Sequence, residues 1–231
     1  MKQINFQMPG EDNFFYRTYS ESIREEKSSC LEHVHAGSKI RIFPADSPQQ
    51  QSGGHINLYL DSSHAFGDGS HPTTILCLTL IEEFLESLPS LQRDGIAMLD
   101  IGTGTGVLAI LAASMGLNNI LALDLDPAAV ESAKSLAALN GTHSIDFRVM
   151  DAAHLPPLGT YGLIVANLLP PILRSVIPLA AKLIQPGAPV IVSGVGDTSH
   201  EEMETLMAAS GFTEIRRISS GWWHAYILRN R

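Results

Sequence analysis

Three glycines stand at alternate positions in this chain, in a pattern that can bring a nucleotide close to the backbone. Gly102, Gly104 and Gly106 follow an apolar stretch that begins near Gly95, and a helical pattern of Leu, Ile and Ala comes directly after them. This order predicts a strand, a tight loop and a helix. Such a loop has little steric bulk, and it directs the free N–H groups of the helix start at a bound ligand.

A carboxylate follows the glycines at the end of the next predicted strand, residues 119–124. Asp124 lies about 20 residues beyond the first glycine, the spacing at which an acidic side chain receives the hydroxyls of a ribose. The glycines alone are also compatible with a connection that binds no ligand. In the dinucleotide fingerprint the third glycine would fall at Val107, whereas this chain has Gly106. This departure favours S-adenosylmethionine over NAD.

The composition predicts one large domain, or one domain with an appendage. The 231 residues are enough to bury a sizeable core. The formal net charge of −9 opposes contact with a phosphate backbone, so we expect no direct binding of nucleic acid. No segment has the apolar length of a signal peptide or of a membrane span. We therefore expect a cytoplasmic protein that does not contact a membrane.

The cysteines and two neighbouring histidines do not indicate a metal site. Cys30 and Cys77 have neither metal-ligand spacing nor the pattern of a disulfide framework, so we expect reduced, partly buried thiols. His33 and His35 lie two residues apart in a polar segment without further ligands. We expect both histidines to be exposed to solvent and no metal to be bound.

The first 60 residues are expected to form a small appendage or linker with short strands, and residues 61–231 the main domain. Residues 1–36 are polar and charge-mixed, with too few apolar side chains for a core of their own. Residues 40–43 and 56–60 alternate between apolar and polar side chains, which predicts two short strands.

A second informative segment, residues 64–74, reads HAFGDGSHPTT. Its glycines predict a turn, and Pro72 is typical of a first helical turn that Ser70 or Thr73 could cap. Turn chemistry alone makes this segment an ordinary loop. The predicted helix start would nonetheless offer free amides and hydroxyls to an anionic group.

The helix that follows is predicted over residues 75–88. Its apolar residues recur at helical spacing, which predicts one buried face. Glu82, Glu83 and Glu86 are expected on the opposite, exposed face.

The remainder of the chain alternates strands and helices. The patterns predict helices at 127–139, 171–184 and 200–210, and strands at 145–149, 161–166, 189–193, 212–218 and 223–228. This order predicts an α/β fold with an open, mostly parallel sheet covered by helices on both faces. Because only a short turn around residues 219–221 separates the last two strands, these strands should form an antiparallel hairpin.

From residue 99 to residue 228 the chain resembles the class I S-adenosylmethionine-dependent methyltransferases, whose Rossmann-like sheet has seven strands. It shares their glycine loop, the acidic Asp124, and the pair Asp151-Ala152 where those enzymes hold adenine. Two segments narrow the resemblance to the ribosomal protein L11 methyltransferase family. These segments are LDSSHAFGDGSHPTTILCL at 60–78 and VANLLP at 165–170.

The chain departs from the family pattern at several positions. Asp68 and Ser70 stand where the family usually has threonines, and residues 167–170 read NLLP where the family has a form such as NILA. About forty residues precede Ile40, whereas the family has a longer amino-terminal domain that grips the ribosomal protein. These departures concern substrate recognition more than methyl transfer.

The resemblance implies that S-adenosyl-L-methionine is the cofactor. Thr74 would reach it from the first helix, Gly102 would pass close to its amino-acid part, and Asp124 would take its ribose hydroxyls. The full set of cofactor-binding residues that we expect is Thr74, Asp100, Gly102, Thr103, Gly104, Asp124, Leu125, Asp151, Ala152 and Asn167.

Asn167 is also the expected catalytic residue. The resemblance implies that its side-chain carbonyl receives the acceptor amine and orients it toward the sulfonium methyl group. The alternative interpretation is that Asn167 is a turn residue before Pro170, since Asn is common in turns. His71 borders the predicted loop and could act as a base or simply support the helix start. Trp222 and Trp223 could wall the acceptor pocket or pack within the hairpin.

The expected reaction is in-line methyl transfer to a lysine or N-terminal amine of a protein, such as ribosomal protein L11. The pKa of a lysine amine is about 10.4 in a model peptide, so the amine must lose a proton before it can attack the methyl group. Two other functions are compatible with the same residues. The first is methylation of a small molecule, which the short amino-terminal segment favours, and the second is a non-catalytic module that binds S-adenosylmethionine.

Overall fold

The computed structural model describes residues 34–60, 69–155 and 160–230. The predictions for Cys30, for His33 and for residues 64–68 lie outside these ranges. The described residues contain ten strands: β1 (Val34–Ala36), β2 (Ile40–Pro44), β3 (Ile56–Leu60), β4 (Ala97–Ile101), β5 (Asn119–Asp124), β6 (Ile145–Val149), β7 (Leu163–Asn167), β8 (Pro189–Gly196), β9 (Phe212–Ser220) and β10 (Trp223–Asn230).

Six α-helices accompany these strands in the same part of the chain: α1 (Pro72–Glu86), α2 (Ser90–Arg93), α3 (Val107–Ser114), α4 (Pro127–Leu139), α5 (Pro170–Leu183) and α6 (His200–Ala209). None of these helices is long and apolar enough to cross a lipid bilayer. Each of them was expected from helical periodicity except the short α2.

The main sheet has seven strands in the order β6-β5-β4-β7-β8-β10-β9. Strands β4 to β8 pair in parallel with one another, whereas β10 pairs antiparallel with both β8 and β9. This arrangement confirms the predicted class I methyltransferase fold with its carboxyl-terminal hairpin. The connection within the hairpin is shorter than expected, because β9 extends to Ser220 and leaves two residues before β10.

The central strands are buried on both faces, which explains their continuous apolar runs. Met98 and Val165 point into one core, which α1, α3 and part of α4 cover. Leu99 and Ile164 point into the other core, which α5 and α6 cover. Successive side chains of a strand alternate between faces, so one β4–β7 pair serves both cores.

Pro72 lies in the first turn of α1, as predicted, but the cap of this helix differs from the two candidates. The N-cap is His71, whose Nδ1 accepts the N–H of Thr73 at 3.3 Å and lies 2.7 Å from the Thr73 hydroxyl. The prediction of Ser70 or Thr73 as the cap was therefore wrong. An unprotonated imidazole nitrogen is an acceptor like a serine oxygen, and Pro72 at the first helical position needs no N–H partner.

Glu82 was expected on the exposed face of α1, and this prediction was wrong, since Glu82 is only 2% exposed. The turn between β1 and β2 covers it. Its carboxylate accepts the N–H groups of Ser38 at 2.7 Å and Lys39 at 2.8 Å, and the Ser38 hydroxyl at 3.1 Å. Glu83 and Glu86 are exposed, as predicted.

Strands β1 to β3 form a separate sheet, in which β1 is antiparallel and β3 parallel to β2. Ile40, Leu58 and Leu60 are buried in the same core as α1 and α3. The side chain of Asn140, just after α4, pairs with both backbone groups of Tyr59 at 2.8 Å. Residues 34–60 therefore share a core with one face of the main sheet, and the division at residue 60 remains a prediction.

The predictions for His35 and Cys77 fall within the described ranges. His35 in β1 is exposed, as expected. Cys77 in α1 is a free thiol with no exposed surface, more buried than expected, and this burial raises its pKa. Cys77 is therefore a core side chain.

Candidate cofactor and acceptor site

The glycine loop connects β4 to α3 in a backbone conformation that requires glycine. Gly102, Gly104 and Gly106 have φ values of 74°, 54° and 81°. L-amino acids with side chains rarely adopt such positive angles. The N–H groups of Gly102 and Thr103 donate to the carbonyl of Leu123 at 2.8 and 2.9 Å, which holds the loop against the end of β5.

Asp124 lies beside this loop at the end of β5. Its Oδ2 accepts the N–H of Gly104 at 2.9 Å, and its Oδ1 accepts the N–H of Asp126 at 3.0 Å. Each carboxylate oxygen can accept a second hydrogen bond. The structure thus places the predicted acid next to the loop, with its orientation set by backbone groups and with acceptor capacity for a ligand.

Asp100 lies under the loop and has no exposed surface. Its Oδ2 accepts the hydroxyl of Thr103 at 2.6 Å, and its Oδ1 has no hydrogen-bond partner among the described residues. Burial raises the pKa of Asp100 to about 7, the bond from Thr103 opposes this rise, and the charge of Asp124 adds to it. Asp100 and Thr103 therefore bond to each other and support the loop from within the protein.

The residues expected near adenine lie after β5 and β6. Leu125 is 70% exposed, directly after Asp124. Asp151 accepts the N–H of Ala153 at 2.8 Å and so caps a short 3-10 turn, whereas Ala152 is buried. The two segments are joined where the N–H of Met150 donates to the Asp124 carbonyl at 3.0 Å. An exposed apolar side chain and a capped turn thus flank the acid.

Asn167 ends β7 and faces the first turn of α1. Its Nδ2 lies 3.5 Å from the hydroxyl oxygen of Thr74, which is 1% exposed. Its Oδ1 is buried and has no hydrogen-bond partner among the described residues. Leaving a buried acceptor unpaired costs about 1–3 kcal/mol, so such an atom indicates a position that a ligand donor can fill.

His71 and Trp223 meet beside this position. Their ring centroids are 5.2 Å apart with an angle of 66° between the planes, an edge-to-face contact. The Trp223 ring also covers Gly196 at the end of β8, where an added Cβ would lie 3.7 Å from it. The carbonyl of Trp222 accepts the N–H of Asp197 at 3.0 Å, which is a contact within the hairpin region. These contacts fit the packing roles predicted for His71 and both tryptophans.

Gly194, which was not among the predicted site residues, lies inside β8 with a φ of 87°. A Cβ at Gly194 would overlap the carbonyl oxygen of Leu168 and lie 2.7 Å from its carbonyl carbon. The residue after Asn167 therefore lies directly on Gly194. The available signal was a glycine within an apolar strand, which often marks a close approach of another backbone.

The described residues contain no group of three or more His, Cys, Asp or Glu side chains placed to hold a metal ion. The carboxyl edge of β4, β5 and β7 carries the glycine loop, the carboxylate of Asp124, which backbone groups hold in place, and the amide oxygen of Asn167, which has no partner among the described residues. In open α/β sheets, ligands bind at this edge.

A family model described as "Ribosomal protein L11 methyltransferase (PrmA)" matches residues 18–231. The ribosomal protein L11 methyltransferase of Ralstonia pickettii is 34% identical over 196 residues, which cover 84% of this chain and 61% of the relative. The chain thus spans about three fifths of the length of such relatives.

Solved structures agree with these sequence matches. A ribosomal protein L11 methylase from Lactobacillus delbrueckii subsp. bulgaricus superposes with a TM-score of 0.74 at 27% identity, covering 86% of this chain and 98% of that one. The N-methyltransferase NodS from Bradyrhizobium japonicum WM9, in complex with S-adenosyl-l-homocysteine, superposes with a TM-score of 0.53 at 18% identity, covering 69% and 88%. The latter likeness concerns the fold alone.

Proposed function

Because the chain belongs to the ribosomal protein L11 methyltransferase family, we propose that it transfers a methyl group from S-adenosyl-L-methionine to a protein amine. The observation that carries this proposal is the buried, unpartnered Oδ1 of Asn167, beside Thr74 at the carboxyl edge of the sheet. An amine N–H can donate to this oxygen, because no described protein group does so.

The residues around the glycine loop fit the sugar and amino-acid parts of the cofactor. We assign the ribose hydroxyls to Asp124, whose oxygens each retain a second acceptor position. Gly102 and Gly104 let the backbone approach the amino-acid part without steric hindrance. Asp100 and Thr103 hold the loop from beneath and act as its support.

The segments after β5 and β6 fit the adenine base. Leu125 offers an exposed apolar side chain next to the ribose position. Asp151 and Ala152 begin the capped turn on the neighbouring segment. A base placed between them would cover the apolar surface of Leu125, which favours its removal from water.

The contribution of Asn167 and Thr74 is to position the acceptor. S-adenosylmethionine, when bound, supplies an electrophilic methyl group. A lysine amine has a pKa near 10.4 (about the model-peptide value) and becomes a nucleophile only after losing a proton. By accepting an N–H of the neutral amine, the Asn167 Oδ1 orients the nitrogen lone pair, while Thr74 limits rotation of the amide. Correct orientation alone can supply a large part of the rate acceleration.

We propose a ribosomal protein as the acceptor, L11 or a protein like it, modified at a lysine or at its N-terminal amine in the cytoplasm. The relatives that carry this name align with 84% of the chain. The net charge of −9 favours contact with a basic protein and opposes contact with nucleic acid. Within a ribosomal particle we therefore expect the chain to bind a ribosomal protein rather than the nucleic acid.

Incubation with methyl-labelled cofactor tests this function. The chain should label a protein band when it is mixed with ribosomes or with isolated ribosomal protein L11. Label that appears only in the small-molecule fraction of a cell extract would replace the proposal by a small-molecule methyltransferase. Absence of both label and calorimetric binding of S-adenosylhomocysteine would exclude a methyltransferase.

The variant Asn167→Ala tests the role of the amide oxygen. We expect the transfer rate to fall about 100-fold because the amine loses its orienting contact. The free energy of unfolding should not decrease, because the substitution also removes a buried, unpaired oxygen. Asn118→Ala, at an exposed asparagine that bonds to Asp94, is the matched control and should leave the rate unchanged. An unaltered rate in Asn167→Ala would contradict the assignment.

A further inference from the structure

Leu168, the residue after Asn167, contacts two glycines on different segments. Its backbone lies on Gly194 in β8, where an added Cβ would lie 2.7 Å from the Leu168 carbonyl carbon and 3.1 Å from its nitrogen. Its side chain lies on Gly102 in the glycine loop, where an added Cβ would overlap Cδ2 and lie 3.2 Å from Cγ. At Gly194 the close atoms all belong to the backbone, so no methyl group fits there, whereas at Gly102 a methyl group would displace the end of the Leu168 side chain.

The backbone of Leu168 is also bonded to β8. Its N–H donates to the carbonyl of Ser193 at 3.2 Å, and Ser193 is the register partner of Asn167. The Ser193 hydroxyl in turn donates to the carbonyl of His224 in β10 at 2.9 Å. The end of β7 is therefore held against β8 and β10 by a hydrogen bond and by close packing on Gly194.

The position of Leu168 links the two halves of the proposed site. Asn167 orients the acceptor, and Gly102 contacts the amino-acid part of the cofactor in the function proposed above. The Leu168 side chain reaches from the segment that carries Asn167 to the glycine loop that carries Gly102, while the Leu168 backbone rests on Gly194. Because the backbone of Leu168 is held on one side, a change in the volume of its side chain is transmitted to the contact with the glycine loop.

The geometry points to Leu168 as a positioning residue that sets the separation between Asn167, which orients the acceptor, and the glycine loop. Gly194 is the seat of Leu168: because it has no Cβ, it leaves space for the Leu168 backbone. This inference rests on the proposed function. It assigns no contact between Leu168 and the reacting atoms. A misplacement of reactive groups by about 1 Å can reduce a rate about 100-fold, so a spacer of this kind is expected to affect turnover more than binding.

The central variant is Leu168→Ala, with Leu168→Met as the conservative replacement. Leu168→Ala should lower kcat at least about tenfold while the dissociation constant of S-adenosylhomocysteine stays within about threefold. Leu168→Met keeps nearly the same volume and should restore most of the rate. Leu179→Ala, at another partly buried leucine packed against the same core, is the control for a general loss of stability.

A second readout does not depend on turnover. The side-chain NH₂ resonance of Asn167, assigned by its loss in Asn167→Asp, should shift in Leu168→Ala, return close to its wild-type position in Leu168→Met, and remain in place in Leu179→Ala. If the wild-type protein transfers no methyl group, the proposed function fails while this readout still tests the position of Asn167. An unmoved resonance, or equal rate losses in Leu168→Ala and Leu179→Ala, would overturn the inference.

Gly194→Ala tests the seat of Leu168, and Gly187→Ala supplies its control. Both glycines have positive φ values, 87° and 76°, so both substitutions introduce similar backbone strain. An added Cβ at Gly187 has no neighbour within 4 Å, whereas one at Gly194 overlaps Leu168. The Asn167 resonance should therefore move only in Gly194→Ala, and a similar shift in both variants would overturn the role of the seat. If Gly194→Ala does not fold while Gly187→Ala does, the Leu168 variants decide the inference.

Discussion

Two buried carboxylates, in different parts of the molecule, have opposite hydrogen-bonding surroundings. Glu82 is 2% exposed and accepts three hydrogen bonds, at 2.7, 2.8 and 3.1 Å, from the turn between β1 and β2. Asp100 has no exposed surface; its Oδ2 accepts the hydroxyl of Thr103 at 2.6 Å, while its Oδ1 has no partner in the described part of the chain.

The difference separates a carboxylate whose two oxygens are both occupied by protein donors from one with an oxygen that lacks a partner among the described residues. Around Glu82 the donors come from the turn that it fixes, so this carboxylate attaches the small sheet to α1. At the carboxyl edge of the main sheet, Asp100 and Asn167 both have an oxygen without a partner among the described residues. Buried polar atoms are paired in most proteins. Asp100 supports the loop from beneath, so it is the unpaired oxygen of Asn167, beside Thr74, that indicates where a ligand binds.

The largest expected effect belongs to the edge region. Asp124→Ala removes the acceptor that we propose for the two ribose hydroxyls, and hydrogen bonds to a charged group contribute about 1.5–3 kcal/mol each. We expect the affinity for S-adenosylhomocysteine, measured by calorimetry, to fall at least about 100-fold. Asp126→Ala is the control, because it removes a neighbouring carboxylate that caps α4. A similar loss of affinity in the two variants would contradict the ribose assignment.

A smaller effect, on folding alone, is expected for Glu82→Ala. It leaves the amides of Ser38 and Lys39 without their acceptor, which should lower the free energy of unfolding by about 2–3 kcal/mol in urea. Affinity for the cofactor should be unchanged in the folded protein. Glu83→Ala, one residue along the same helix, removes an exposed ion pair with Arg216 and should cost under about 1 kcal/mol. Weaker cofactor binding by folded Glu82→Ala would show that the two regions are coupled.

The smallest effect concerns Asp100 and depends on pH. Its pKa is about 7 in the folded protein, against about 3.9 in an unfolded chain. Between these values the folded state binds this proton more tightly, so the wild-type protein loses stability as the pH rises, and the loss ends above the folded pKa. Asp100→Asn mimics the protonated acid and does not titrate. Relative to wild type, it should gain about 2 kcal/mol between about pH 5.5 and pH 8.

Asp94→Asn, at an exposed carboxylate, is the control for the change in net charge in this experiment. Chemical unfolding of the protein without cofactor at both pH values supplies the measurement. A constant stability difference between wild type and Asp100→Asn would show that Asp100 is ionised throughout this range. In that case the contrast between the two carboxylates would rest on geometry alone.

Most of the secondary structure could be predicted because its signals are local. Strands β3, β5 and β6 and helix α4 have the bounds that alternation, caps and the Asn-Gly stop indicate. Strand β8 continues past the predicted end to Gly196. The strand pattern in the sequence ends at Ser193, and the residues next to Gly194 do not predict its positive φ.

The errors have a common physical cause. Helical periodicity places Glu82 opposite the apolar stripe of α1, but it does not show that the turn between β1 and β2 covers that position. The His71 ring caps α1 by accepting the N–H of Thr73, and the same ring packs edge-to-face with Trp223, which comes from the far end of the chain. In each case a contact between distant residues decided the outcome.

By itself, the sequence determined the order of strands and helices, the glycine loop and the acid that follows it. Each of these depends on residues within a few positions of one another, through side-chain alternation, capping and the backbone freedom of glycine. Only the tertiary structure decided that the oxygen of Asn167 is left without a partner among the described residues, that Asp100 is buried, and that Leu168 lies between Gly102 and Gly194. These properties depend on which segments pack together, because burial removes the water that would otherwise satisfy a polar atom.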